Sequence, residues 1–270
     1  MTLLQAVVLG LVQGTSEFLP ISSTAHLRIV PALAGWPDAG AAFTAVLQLG
    51  TLAAVIGYFL PELLRMTGAA LAALRDPARR TDPDARRLGY IVAGTVPIGI
   101  AGVLLRHAVE GRLRALGVIA VALVVVGLAL ALVERRARFA RALEDIVLQD
   151  ALIIGCAQAL ALVPGVSRSG ITLLAAMVLG FRRDAAARFS FLLSVPAVAA
   201  AGVFELPKVL RAHDIGAAPL ALGLLCAFVS GYASIAWLLR FLRTRSTLPF
   251  VVYRVLLGGG LLAALAAGAI

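Results

Sequence analysis

The chain has 270 residues, of which 61% are hydrophobic and 14% are charged, and its mean hydropathy is +0.99. Soluble domains average about 45–50% apolar and about 25% charged residues, so this composition excludes an ordinary soluble domain and predicts a polytopic membrane protein. The net charge of +10 does not indicate nucleic-acid binding, because the arginines cluster between apolar segments, where they set membrane topology.

The first feature in chain order is an interrupted apolar region. Two short apolar pieces, residues 3–12 and 24–34, flank the polar stretch GTSEFLPISSTAH at positions 14–26. Pieces of 10–14 residues are too short to cross a bilayer, and irregular backbone is tolerated at membrane depth only inside protein or beside a cavity. The region therefore predicts a re-entrant helical hairpin.

Six further segments are long and apolar enough to cross a bilayer. They are residues 43–60, 88–105, 115–133, 189–207, 217–239 and 248–269. A second interrupted pair, 146–163 and 170–181, surrounds the stretch PGVSRSG between the third and fourth of these segments. By the same argument it predicts a second re-entrant hairpin.

The two halves of the chain resemble each other. Gly10 and Gln13 recur as Gly155 and Gln158 at an offset of 145, and FTAVLQLGTLAA matches FSFLLSVPAVAA at an offset of 146. Each half then holds one hairpin and three crossings. Because three is odd, the second half inserts upside down relative to the first.

We therefore predict an all-α polytopic membrane protein with an inverted-topology repeat. It forms a single integral-membrane domain, 1–270, with pseudo-repeats 1–134 and 146–270. Six transmembrane helices and two re-entrant helical hairpins make up this architecture, whose sites form near the midplane at broken helices.

Cations divide unequally between the two sides of this arrangement. One side carries Arg65, Arg75, Arg79, Arg80, Arg86, Arg87, Arg135, Arg136, Arg138, Arg141, Arg182, Arg183, Arg188, Arg240, Arg243 and Arg245. The other carries Arg106, Arg112, Arg114, Lys208 and Arg211. The positive-inside rule places the first side in the cytoplasm, so Asp82 is predicted inside, and Asp214 and both termini outside.

Three ionisable residues fall within the interrupted segments: Glu17, His26 and Arg168. A charged side chain at the bilayer centre costs roughly 2.5–3.5 kcal/mol on insertion scales, so these groups must pair or share a hydrated cavity. Structural roles are open for each of them: Glu17 and Arg168 as an ion pair between the hairpins, and His26 as a satisfied interior histidine. The neighbouring hydroxyls suit helix capping; they belong to Ser22, Ser23, Thr24, Ser167 and Ser169.

The same residues predict phosphate chemistry. Helices that start near Ser23 and Ser167 bring two N-termini together, and with Arg168 they form an anion site suited to phosphate. Glu17, with Gln13 four residues before it, predicts a Mg²⁺ or Ca²⁺ site beside that phosphate. Ser23 is a candidate nucleophile and His26, one turn on, a candidate general base.

Two long motifs, GLVQGTSEFLPISSTAHL at 10–27 and PGVSRSGIT at 164–172, resemble the undecaprenyl-diphosphate phosphatase family of the BacA type. The resemblance extends over nearly the whole chain, through RFSFLLSVP to the terminal YR. It implies hydrolysis of the terminal phosphate of the C55 lipid-carrier diphosphate, which recycles the carrier for peptidoglycan synthesis and underlies bacitracin resistance. It also implies a divalent cation, the bacterial inner membrane, and a site open to the periplasm.

The resemblance assigns roles by position. The metal motif falls on Gln13 and Glu17, the nucleophile on Ser23 and the histidine on His26. Phosphate binding falls on Ser167, Arg168, Ser169 and Thr172, to which we add Ser22 and Thr24. The chain departs from the common pattern at Gln13, where many members have Glu, at Ala25, where Gly is common, and at Arg28, which either joins the anion site or snorkels.

A secondary transporter or flippase for a phosphorylated solute or lipid is the alternative, because inverted repeats are as typical of transporters. The pairing of Ser23 with His26 favours the enzyme, since a carrier needs no nucleophile and base. The expected partners are a polyprenyl diphosphate and the bilayer, without nucleic acid. The sequence leaves open a homodimer, the metal, the chain length of the lipid, and attack by Ser23, His26 or water.

Overall fold

The computed structural model describes residues 1–105, 107–108, 111–211 and 216–268. Throughout these residues the named elements are helices, with no β-strand among them, which confirms the predicted all-α class. Of the predicted outside residues, Arg106 and Asp214 lie outside the described part, as do the side chains of Lys208 and Arg211.

The α-helices named within the described residues fall into two sets of five in chain order. The first set is α1 (Leu3–Glu17), α2 (Ser23–Ala34), α3 (Gly40–Arg75), α4 (Pro83–Leu104) and α5 (Leu116–Arg136). The second is α6 (Leu148–Ala159), α7 (Arg168–Val178), α8 (Arg183–Arg211), α9 (Ala217–Leu242) and α10 (Leu248–Ala266). Within the described residues six helices, α3 to α5 and α8 to α10, are long and apolar enough to span a membrane, which confirms the six predicted spans.

Two of the spanning helices extend far beyond the segments that the sequence predicts. The helix predicted at 43–60 continues through Pro61 to Arg75, and its 36 residues extend about 54 Å at 1.5 Å per residue. Two ion pairs contact the start of this extension: Glu62 lies 2.6 Å from Arg188 and Arg65 lies 2.6 Å from Asp84. The predicted loop 61–87 is mostly helical, because α3 continues to Arg75 and α4 begins at Pro83. The helix predicted at 189–207 likewise begins earlier, at α8's first residue.

The short helices pair as predicted. α1 packs on α2 and α6 packs on α7, and each pair is joined by an irregular loop. α1 also packs on α9 of the other half, and α6 packs on α4. The first spanning helices of the two halves, α3 and α8, contact each other, as do the third, α5 and α10. The packing is thus reciprocal between the two sets of helices, while the duplication, the inverted orientation and the re-entrant course stay predictions.

Two glycines related by the 145-residue offset allow the closest of these approaches. A Cβ atom on Gly10 in α1 would lie 2.8 Å from the Cβ of Cys226 in α9. A Cβ atom on Gly155 in α6 would lie 2.8 Å from the Cα of Gly94 in α4. Only glycine allows backbones to approach this closely, as in the small-residue contacts of membrane helices.

Cysteine labelling tests the topology. In a Cys156→Ala, Cys226→Ala background, a cysteine replacing Arg112 should react with a membrane-impermeant maleimide in intact cells. A cysteine replacing Thr81, next to Asp82, should react only after permeabilisation. Both positions are exposed in the structure, and the uneven cation distribution sets the expected sides. Labelling of both from the same side would contradict the inverted repeat.

Candidate active site

The loops between α1 and α2 and between α6 and α7 end in the same unusual backbone geometry. Ser22 has φ 74° and ψ 95°, and Ser167 has φ 72° and ψ 115°. They are the only non-glycine residues with positive φ in the described chain. Sparsely populated backbone conformations of this kind cost about 1–3 kcal/mol each, so the surrounding structure must hold both loops in place.

Both serines cap the helix that follows. The Ser22 hydroxyl accepts a hydrogen bond from the Ala25 N–H at 3.4 Å, and the Ser167 hydroxyl accepts one from the Gly170 N–H at 3.1 Å. The helices therefore begin at Ser23 and at Arg168. The sequence predicts helix starts near Ser23 and Ser167, and in the structure the equivalent capping residues are Ser22 and Ser167. The nucleophile candidate and the arginine occupy equivalent first positions of two helices.

Arg254 in α10 holds the two loops together. Its side chain is fully buried, and its guanidinium donates to the carbonyl of Pro20 at 3.0 Å and to those of Gly165 and Val166 at 2.8 and 3.1 Å. Further bonds of 3.2 Å reach the carbonyls of α5, at Ala122 and Leu123. One buried cation thus fixes the first loop, the second loop and α5 relative to one another.

Glu17, at the end of α1, is the centre of the polar site and is 5% exposed. Its Oε2 accepts a hydrogen bond from the Ser23 hydroxyl at 2.5 Å and one from the Gln13 amide at 2.8 Å. Its Oε1 forms an ion pair with Arg168, whose guanidinium also donates to the Ser194 carbonyl at 3.2 Å. The structure therefore brings the predicted nucleophile, carboxylate and arginine into direct contact.

The other predicted phosphate ligands divide into two groups. Ser22, Thr24 and Ser167 line the same cavity as Glu17, Ser23 and Arg168. The other two residues, Ser169 and Thr172, form hydrogen bonds within the protein. The Ser169 hydroxyl donates to the Leu19 carbonyl at 3.0 Å. The fully buried Thr172 hydroxyl donates to the Arg168 carbonyl at 2.8 Å and lies 2.6 Å from the Ser190 hydroxyl. These contacts of Ser169 and Thr172 position the loops and α7, and the predicted phosphate-binding roles of the two residues stay predictions.

His26 is turned away from Ser23. Its Nδ1 lies 2.7 Å from the Ser22 carbonyl and its Nε2 lies 2.5 Å from the Tyr253 hydroxyl, with the two rings stacked. The carbonyl can only accept, so Nδ1 carries the proton and Nε2 accepts from Tyr253. Both ring nitrogens are therefore engaged, and the hydrogen bond that Ser23 donates goes to Glu17. The expected contact between His26 and Ser23 is absent from the described hydrogen bonds.

The cavity has a volume of about 220 Å³. The part of its lining that comes from the two loops and the adjoining helix ends, which we call the polar end, includes Glu17, Ser22, Ser23, Thr24, Ser167 and Arg168. Its remaining walls come from α3, α4 and α8, including Thr44, Gln48, Ile98 and Val198, and from Arg114 in the turn before α5. Two helix N-termini and two arginines around one carboxylate give the cavity a positive balance, which favours an anionic ligand.

Sequence reasoning missed the roles of three residues. Arg254 and Tyr253 belong to the YR pair near the end of the chain, and an arginine within a predicted span is itself a signal of function or structure. Arg114 was treated only as a cation of an outer loop. Its position in the cavity wall depends on how the turn at Arg112–Arg114 folds against α3 and α4, which no local pattern indicates.

The chain is similar to known proteins over nearly its whole length. The model of the family described as bacitracin resistance protein BacA matches residues 6–260. The undecaprenyl-diphosphatase of Myxococcus xanthus is 53% identical over 99% of this chain and 91% of its own length. That of Nocardioides sp. is 49% identical over 99% and 98%, and undecaprenyl-diphosphatase 2 of Frankia casuarinae is 48% identical over 100% and 97%.

Arg254→Met should strongly destabilise the fold. The substitution keeps an apolar stem but leaves buried carbonyls of both loops without a donor, and each such group costs about 1–3 kcal/mol. We expect a total loss of about 3 kcal/mol or more in the free energy of unfolding. The measurement is thermal unfolding in detergent, with the exposed Arg245→Met as control. Equal midpoints for the two variants would contradict the role of Arg254.

Proposed function

The chain belongs to the bacitracin resistance protein BacA family, and we propose that it is an undecaprenyl-diphosphatase that uses Ser23 as nucleophile and Glu17 as base. Its substrate is the C55 lipid-carrier diphosphate and its products are the lipid monophosphate and inorganic phosphate. The observation that carries the proposal is the 2.5 Å hydrogen bond from the Ser23 hydroxyl to Glu17 beside Arg168. A hydroxyl held on a carboxylate next to an anion clamp is the arrangement that phosphoryl transfer requires.

The cavity suits the head of such a lipid. Its polar end receives the terminal phosphate, and apolar side chains such as Ile98, Leu162 and Val198 line the way toward the membrane. A volume of about 220 Å³ accommodates the diphosphate and the first part of the chain, so the rest of the isoprenoid lies in the bilayer. The apolar residues exposed on α4, among them Val96 and Ile100, face that lipid.

Arg168 binds the terminal phosphate through its planar guanidinium, which can donate two parallel hydrogen bonds to phosphate oxygens. In the structure the same guanidinium is paired with Glu17. A phosphate entering the cavity competes for Arg168 and releases Glu17. The backbone N–H groups at the starts of α2 and α7 add favourable dipoles around the phosphate.

The reaction then proceeds in two displacements. The Ser23 oxygen forms a bond to the terminal phosphorus while its proton moves to Glu17, and the bond from that phosphorus to the bridging oxygen breaks. The lipid monophosphate leaves with the bridging oxygen and takes up the proton. Water next attacks the phosphoserine, giving a proton to Glu17, and the Ser23 oxygen regains a proton as inorganic phosphate departs.

His26 takes a supporting role in this scheme. Its Nδ1–H donates to the Ser22 carbonyl and its Nε2 accepts from Tyr253, so the imidazole braces the strained Ser22 next to the nucleophile. This replaces the role of general base toward Ser23 that the sequence suggested. The hydrogen bond from Ser23 to Glu17 also favours an enzyme over a transporter, since transport does not require a hydroxyl that is activated by a carboxylate.

A divalent cation fits the donor set in a limited way. The Gln13 Oε1 atom is buried and has no hydrogen-bond partner among the described residues, so one amide oxygen is available beside the Glu17 carboxylate. No group of three His, Cys, Asp or Glu side chains gathers in the described chain. One carboxylate with phosphate and water oxygens suits Mg²⁺ better than Ca²⁺. When bound, Mg²⁺ would neutralise charge that develops on the phosphate oxygens.

We place the protein in the bacterial inner membrane with the mouth of this cavity toward the periplasm. Arg114 in the cavity wall belongs to a loop on the side that carries fewer cations. The positive-inside rule puts that side outside the cytoplasm. A periplasmic mouth gives the site access to lipid diphosphate generated on the outer leaflet.

Phosphate release by the purified protein tests the function. With undecaprenyl diphosphate in detergent, we expect release with Mg²⁺, loss of release with EDTA, and recovery when Mg²⁺ is restored. Arg168→Lys serves as a matched variant, because Lys keeps the charge but lacks the planar fork, and it should be nearly inactive. Wild-type protein that binds the lipid without releasing phosphate would support the flippase alternative.

Rapid-quench labelling tests the roles of Ser23 and His26. With a diphosphate carrying ³²P at the terminal position, label should appear on Ser23, and Ser23→Ala should retain little activity. Glu17→Gln should lose about 10²–10⁴-fold in kcat, as expected for removal of a general base. His26→Ala should lose less than Glu17→Gln. A larger loss in His26→Ala, or label trapped on His26, would overturn the assignment.

A further inference from the structure

Arg114 is a second cation of the cavity that has no role in the chemistry derived above. It lies in the wall of the same cavity as Ser23 and Arg168. One nitrogen of its guanidinium, Nη2, donates to both oxygens of the Asp38 carboxylate, at 2.9 and 3.0 Å. The Arg114 side chain is 17% exposed and that of Asp38 is 29% exposed, so neither group is sealed off from an entering ligand.

Asp38 is shared between two arginines. Its Oδ2 also lies 3.6 Å from the Nε of Arg28, and its Oδ1 accepts a hydrogen bond from the Gly40 N–H at 3.1 Å. Among the described residues that line the cavity, Arg114 is present and Arg28 is absent. The cluster carries two positive charges and one negative charge, so it retains a net attraction for an anion when Asp38 is fully engaged.

The proposed substrate brings two phosphates into the cavity, and Arg168 accounts for one of them. The terminal phosphate must reach Ser23 at the polar end, which leaves the phosphate attached to the lipid nearer the mouth. A guanidinium can donate parallel hydrogen bonds to phosphate oxygens, and the contact with Asp38 engages only one nitrogen of Arg114. Both side chains keep some access to solvent, so an entering phosphate can take the place of the carboxylate.

From these contacts we infer that Arg114 binds the lipid-proximal phosphate of the diphosphate. Before the substrate binds, Arg114 pairs with Asp38, and it releases this carboxylate when the phosphate takes its place. This inference rests on the proposed function. Asp38 holds Arg114 at the mouth when the cavity is empty, and exchange of the carboxylate for phosphate selects substrates with two phosphates. Arg28 stays on Asp38 and balances the carboxylate after Arg114 leaves it.

The substitutions at Arg114 and Asp38 therefore have opposite expected effects. With farnesyl diphosphate as a soluble substrate, Arg114→Gln should raise KM about tenfold or more, the size expected for a lost charge-assisted hydrogen bond. Asp38→Asn should lower KM about twofold to fivefold, because it frees Arg114 while its side-chain oxygen can still accept from Gly40. kcat should change little in either variant.

Two controls separate this role from a structural one. Arg28→Gln removes the same charge from the same carboxylate outside the cavity, and it should leave KM within about twofold. The inhibition constant of inorganic phosphate, which needs only the Arg168 end, should be unchanged in all variants. If the ion pair were only structural, Arg114→Gln and Asp38→Asn would shift KM in the same direction. That result, or an unchanged KM in Arg114→Gln, would overturn the inference.

Equilibrium binding keeps the inference testable apart from turnover. The chain has two tryptophans, and Trp36 lies two residues before Asp38, so a Trp237→Phe background leaves one reporter beside the cluster. In a Ser23→Ala variant of that background, the Kd for farnesyl diphosphate should be lowest in Asp38→Asn and highest in Arg114→Gln. Binding in this order without phosphate release from the wild type would refute only the proposed function. If Arg114→Gln fails to fold, an unchanged or weaker affinity in Asp38→Asn refutes the role of Arg114.

Discussion

A single buried guanidinium holds the polar centre of this protein together. Arg254 donates to backbone carbonyls of the loop before α2, the loop before α7, and α5, and among the described residues it has no carboxylate partner. A cation in the protein interior is tolerable only when its donors are satisfied, and the carbonyls of irregular loops need donors for the same reason. The guanidinium of Arg254 and the loop carbonyls satisfy each other's hydrogen bonds, so the two loops are held as one rigid unit.

That rigidity allows the strained serines to persist. Ser22 and Ser167 adopt nearly the same positive-φ geometry, which an isolated loop would abandon. The two helices that they cap begin with different residues, Ser23 and Arg168, so the same backbone device presents a nucleophile from one half and an anion clamp from the other. Glu17 meets both, and the site exists only where the halves come together.

Polar residues around the site hold the loops and helix starts in this geometry. Ser169 and Thr172 bond to backbone and to a neighbouring helix, and His26 bonds to the Ser22 carbonyl and to Tyr253. Conspicuous polar residues in a motif therefore need not touch the ligand. In a low-dielectric interior an unpaired hydroxyl or imidazole is costly, so each one present has a bonding partner that fixes its direction.

The sequence by itself determined the membrane class, the six spans, the two interrupted segments and the polar residues Glu17, Ser23 and Arg168, because hydropathy and intramembrane charge are local properties of the chain. Only the tertiary structure decided which group receives the Ser23 hydrogen bond. The spacing of three residues suggested His26, but side-chain direction depends on the loop backbone, and the positive φ of Ser22 turns Ser23 toward Glu17. The hydrogen bonds of Arg254 to both loops and the place of Arg114 in the cavity wall likewise depend on contacts between residues far apart in the chain. No periodicity or motif encodes such contacts.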